Sequence, residues 1–144
     1  MGNCNILGAF SSGGGGGATV EIDNATITSN VTSTATTLTD IAGLAITIGD
    51  ITDGQTFITA QLTISIDEVR NVEMGLADDD TTINSTWVGT EANHANAQYN
   101  LATSYAMSAN GSEIHAQAEM SGGTMTIRGN TTGPVSSIVS MSVG

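Results

Sequence analysis

From Leu44 to Val143 apolar and polar residues alternate with a period of two. That pattern fits a β-strand, whose successive side chains point to opposite faces, and not a helix, which needs an apolar stripe every 3.6 residues. The clearest run has Ile58, Ala60, Leu62, Ile64 and Ile66 on one face and Thr59, Gln61, Thr63 and Ser65 on the other. Leu44, Ile46 and Ile48 alternate up to Gly49-Asp50. Val72, Met74 and Leu76 are closed by Asp78-Asp79-Asp80. Tyr99, Leu101, Tyr105 and Met107 run to the turn dipeptide Asn110-Gly111. Ile114, Ala116, Ala118 and Met120 precede Gly122-Gly123, Met125 and Ile127 follow, and Val139, Met141 and Val143 share one face at the end. Ile83 and Trp87-Val88 belong to a less regular piece. Only residues 91–101 tolerate a helix, and one turn at most. Seven to nine short strands spaced by turn signals predict an all-β chain, an antiparallel β-sandwich or jelly roll.

The 144 residues fit one domain, and the pattern divides them into an extended N-terminal arm, 1–37, and a β-sandwich domain, 38–144. The arm contains Ser11-Ser12 and Gly13, Gly14, Gly15, Gly16 and Gly17, a composition that builds no core. It reads either as a flexible tether or as an arm that orders on a partner, where glycine permits close backbone approach; the five glycines are the candidate partner-binding residues. In 18–32, Val20 and Ile22 alternate, and then Ala25 and Ile27 take the opposite parity; the Asp23-Asn24 step between them suggests a turn or bulge. Residues 32–37 read as a polar connector.

Charge narrows the function. Fourteen acidic residues face two basic ones, Arg70 and Arg128, for a net −12. Such a chain repels nucleic-acid phosphates and anionic lipid, so neither nucleic acid nor membrane is expected as a partner. No apolar run reaches the roughly 18 residues of a membrane span. With Cys4 as the single cysteine, no intrachain disulfide forms. The only aromatics are Phe10, Phe57, Trp87, Tyr99 and Tyr105, so core filling falls to Ile, Leu, Val, Met and Ala, and self-association would add stability.

No catalytic constellation stands out, and the chain is read as not an enzyme. His94 and His115 lack metal-type spacing, Cys4 lies apart from both, and the glycine run lacks the Lys-Ser/Thr ending of a phosphate loop. Asp78, Asp79 and Asp80 are the candidate metal ligands, for Ca²⁺ if for any ion, set against a plain solvated loop. Asp23, Asp50 and Asp53 read as turn residues. Arg70 and Arg128 are candidate subunit-interface residues, able to clamp a carboxylate with two bonds, or else ordinary surface ion pairs. Trp87, Tyr99 and Tyr105 could stack on sugars; the tyrosines share parity with Leu101 and Met107 and are expected in the core, whereas Trp87 is expected to be exposed.

Residues 38–44 (Leu-Thr-Asp-Ile-Ala-Gly-Leu) lead into a first strand, 54–66 (Gly-Gln-Thr-Phe-Ile-Thr-Ala-Gln-Leu-Thr-Ile-Ser-Ile) form a long second, and 69–76 form its partner. Thr132-Gly133-Pro134-Val135 introduces a closing strand at 137–143. In these stretches the chain resembles the C1q/TNF-like jelly-roll domains of tailed-phage virion proteins, with fewer aromatics than typical members. The resemblance implies a compact homotrimer in the virion. There it would serve either as a capsid decoration or cement protein, its arm attached to the major capsid protein or another virion protein, or as a fibre or spike tip binding a host receptor or glycan. It implies no shared catalytic residues and no cofactor.

Overall fold

The computed structural model describes residues 17–67, 71–89, 98–129 and 135–144. Ten strands follow one another: β1 (Val20–Thr26), β2 (Val31–Ser33), β3 (Thr39–Thr47), β4 (Asp50–Ile66), β5 (Asn71–Asp78), β6 (Thr81–Gly89), β7 (Gln98–Asn110), β8 (Glu113–Met120), β9 (Met125–Ile127) and β10 (Ser137–Val143).

The pairing is that of one long hairpin rolled up. At its tip β5 pairs with β6; further out β4 pairs with β7, and β3 with β8. Rolling closes laterally where β8 meets β5 and where β10 and β9 meet the free side of β4. One sheet carries β1-β10-β4-β9-β2 with β7 on the far side of β4; the other reads β3-β8-β5-β6, and every pair is antiparallel. Two such sheets joined by nested, non-sequential pairs make a jelly roll.

The period-two runs predict the buried faces. Leu44, Ile46 and Ile48 are buried, as are Ile58 to Ile66 at alternate positions, Val72, Met74, Leu76, Ile114, Ala116, Ala118, Met120, Met125 and Ile127. Among the described residues this core holds only aliphatic side chains and methionine. Phe57, Trp87 and Tyr105 are 54%, 59% and 37% exposed.

The turns fall where Gly and Asp mark them. Gly111, with φ +76°, sits between β7 and β8, and Gly122 and Gly123 follow β8 with φ +142° and +81°. Asp79 takes φ +48° in the two-residue connection between Asp78 and Thr81. Asp53, with φ +59°, lies in the register shift between Asp50 and Gln55, so it makes a bulge inside a strand.

Several expectations are corrected. Asp23-Asn24 is neither turn nor bulge: β1 pairs with β10 without a break from Val20 to Thr26, and the parity change reflects two faces of one strand. Trp87 lies in regular β6, opposite Glu73. Residues 98–101 of the helix-tolerant stretch are strand; 91–97 lie outside the described residues. Tyr105 shares a face with buried Ile58, but β7 is an edge strand and leaves it open. Ahead of residue 38, β1 pairs with β10 and β2 with β9.

Candidate functional site

Strand β10 is turned inside out. Its apolar residues Val139 and Met141 are 40% and 42% exposed, while Ser140 and Ser142 are 1% and 0% exposed beside buried Ile138. β1 matches it: Val20 and Ile22 are each 49% exposed, and register places Glu21 and Asp23 opposite Ser142 and Ser140. Large apolar residues thus stand on the outer face while Ser140, Ser142 and Asp23 share the inner face with Ile138 and Ala25, a partial reversal of a sheet with one face in water.

Register extends this outer face across four strands. Ile22, Met141, Phe57 and Ala106 stand side by side, and so do Asn24, Val139, Thr59 and Ser104. Around them lie Val20, Val143, Gln55 and Ser108 on one side and Thr26, Ser137, Gln61 and Ala102 on the other. None of these residues is charged. Four strands about 4.8 Å apart, with four alternate residues about 6.7 Å apart along each, give an uncharged face of about 500 Å², in which apolar Val20, Ile22, Phe57, Val139 and Met141 alternate with Asn, Gln, Ser and Thr.

The outer face of the other sheet is acidic. Glu73 and Glu119 are direct cross-strand partners, a like-charge pairing that costs stability, and Trp87 continues their row on β6. His115 Nδ1 lies 3.4 Å from Asp40 Oδ2, and its Nε2 4.0 Å from Glu113 Oε1. Gln117 donates through Nε2 to Asp40 Oδ1 at 2.9 Å and accepts from Thr82 Oγ1 at 3.1 Å. This polar net spans β3, β8 and the β6 edge and accounts for buried Gln117.

The residues singled out in the sequence do not converge. Asp78, Asp79 and Asp80 form the β5–β6 turn, with Asp79 and Asp80 exposed. Among the described residues no group of three His, Cys, Asp or Glu side chains could hold a metal ion. Arg128 is half-buried; its backbone donates to Thr63 O at 2.8 Å and accepts from Ser136 N at 2.9 Å. Gly17 is exposed. Gly13 to Gly16, Arg70, His94 and Cys4 lie outside the described residues. One cleft of about 220 Å³ opens between β2, β3 and β9, below the usual range of small-molecule sites. The polarity inversion of β1 and β10 went unread because alternation says which residues share a face, not which face meets water.

No family model matches the chain, and no curated protein does. Solved structures do. The Eiger TNF of S. frugiperda is similar over 83% of this chain and 91% of its own, at 9% identity and TM-score 0.54. Latent PorU from Porphyromonas gingivalis matches 93% of the chain at 14% identity and TM-score 0.54, with only 14% of its own length covered. Infectious bursal disease virus Gt strain matches 86% of the chain and 37% of its own at 11% identity, with a TM-score of 0.47 too low to carry weight. At these identities the likeness concerns the fold alone, and with the nested strand pairing it makes the chain a jelly roll.

Proposed function

We propose that the chain is a structural virion protein, a homotrimeric capsid decoration or cement protein of tailed phages. In this reading it associates through the charge-free outer face of β1, β10, β4 and β7, its N-terminal arm attaches it to the major capsid protein, and it catalyses nothing. The observation that carries the reading is that face. A chain of net −12 pays least repulsion by joining copies through its uncharged surface, and Ile22, Met141 and Phe57 give that surface apolar area to bury. The C1q/TNF-like sequence resemblance supports the virion setting.

The test is location and copy number. Antibody labelling of native particles should find many copies spread over the head, and removing residues 1–17 should leave a folded oligomer that no longer binds heads. Full decoration by the truncated chain would overturn the role of the arm; labelling absent from particles would overturn the virion setting.

A second reading rests on Trp87, 59% exposed in a row with Glu73 and Glu119. Glu73 is buried and Glu119 half-buried, so the indole face supplies the stacking surface for a sugar ring and Glu119 is the carboxylate placed to accept from its hydroxyls. As a fibre tip the protein would be present in few copies, at a tail or spike. It would also lose glycan-array binding on Trp87→Ala.

A further inference from the structure

The inner face of a β-sandwich ordinarily belongs to apolar side chains, and along β1 and β10 it does so only at Ala25 and Ile138. Asp23 faces Ser140, and Glu21 faces Ser142. Thr56 of β4 adds a fifth oxygen side chain beside Ser142. One half of this array is satisfied internally: Thr56 Oγ1 and Ser142 Oγ share a hydrogen bond of 2.7 Å, and Ser142 Oγ accepts from Gly49 N at 3.3 Å. The other half is not. Asp23 Oδ2 and Ser140 Oγ are both buried with no hydrogen-bond partner among the described residues, although the two residues are register partners. An orphaned buried oxygen is costly, most of all on a carboxylate. Glu21 precedes Asp23 by two residues on the same face of β1, its Oε2 2.5 Å from where a Cβ on Gly49 would stand, at the Ser142 end of the array.

We propose that Glu21, Asp23 and Ser140 bind one divalent hard cation, Ca²⁺, at the open edge of the sandwich beside β1. Two carboxylates balance its charge, the Ser140 hydroxyl supplies a neutral oxygen, and water completes the shell. Ca²⁺ suits oxygens strung along two strands because it accepts irregular coordination by 6–8 ligands, whereas Mg²⁺ demands a near-ideal octahedron. Binding there fastens β1, the edge strand that carries the N-terminal segment, to β10. The inference is independent of the virion reading: it uses only the inner face, and its test contains no particle.

The full chain, stripped with EDTA, is titrated calorimetrically with CaCl₂ and melted in CaCl₂ or in NaCl of equal ionic strength. One Ca²⁺ should bind per chain, with a gain in melting temperature beyond the NaCl control. Asp23→Asn should weaken binding about tenfold or more, since affinity follows ligand charge. Ser140→Ala should weaken it too, while its melting temperature without Ca²⁺ equals or exceeds the parent's, which shows that the fold is intact. Replacing Asp78, Asp79 and Asp80 together by Asn should leave binding unchanged. No binding in millimolar CaCl₂, binding that survives Asp23→Asn, or binding lost only in the triple variant would each overturn the proposal; an equal response to MgCl₂ would overturn the choice of Ca²⁺.

Discussion

Ser140 and Ser142 occupy the same face of the same strand, both buried, yet they should respond oppositely to substitution. Ser142 Oγ accepts from Gly49 N and bonds Thr56 Oγ1, so Ser142→Ala leaves both unpaired and should cost about 1–3 kcal/mol. Ser140 Oγ has no partner among the described residues, so Ser140→Ala should be neutral or stabilising in the absence of Ca²⁺. Urea denaturation of the two variants checks the contrast, and equal losses would contradict the hydrogen-bond assignment. Gly129 is a second discriminating residue. A Cβ there would press on Ser29 O and stand 2.8 Å from Ile27 O, and because backbone cannot step aside as a flexible side chain can, Gly129→Ala should cost about 1–3 kcal/mol. At this scale the sequence read well wherever a residue's neighbours are local. Gly111 and Asp79 announce their turns because few other residues accept φ > 0°. Asp23 was misread because Asp-Asn favours turns on its own, whereas here seven ladder pairs with β10 hold it extended.

Among the elements, β3, β4, β5 and β8 were legible in outline, since each buries one alternating face against the other sheet. What could not be read was pairing. β4 meets β7, β10 and β9, and no property of residues 50–66 names partners that distant in sequence. Nor could alternation orient β10, because Val139 and Met141 resemble a core face until Ile138 is seen buried on the other. Trp87 was expected in irregular chain and lies in β6, where cross-strand pairing with Glu73 supplies the regularity its own neighbours lack. The β5–β6 connection yields a prediction at this scale. Its register, Asp78 opposite Thr81, leaves two turn residues, and Asp79 carries positive φ. A β-branched residue there is strained by about 1–2 kcal/mol. Asp79→Val should therefore lose about that much in urea denaturation, while Asp79→Asn keeps the turn and removes one of three adjacent charges. A Val variant as stable as the parent would mean that the hairpin tip tolerates another turn geometry.

At the scale of the whole molecule the governing feature is the separation of charge from apolar surface. Glu73, Glu113, Glu119 and Asp40 lie on one sheet's outer face, and the uncharged stripe of Ile22, Met141 and Phe57 lies on the other. If copies meet through the stripe, Met141→Asp puts a charge at its centre and should dissociate the oligomer in sedimentation velocity, with the monomer still folded because Met141 is 42% exposed. The charges shape the salt response. A trimer carries −36, three times −12. Because packed sheets are about 10 Å apart, the acidic faces of joined copies repel only over distances longer than that. The Debye length is about 30 Å at 0.01 M salt and about 10 Å at 0.1 M. Repulsion should therefore be felt at the lower concentration and largely screened at the higher. The oligomer's melting temperature should rise between about 0.01 and 0.1 M NaCl and then level off, and the monomeric Met141→Asp variant should show a smaller rise. A rise that continues unchanged to about 1 M, where the Debye length is about 3 Å, would point to carboxylates in direct contact across the interface and would move that interface off the uncharged face. A melting temperature flat throughout would mean that charge does not oppose association.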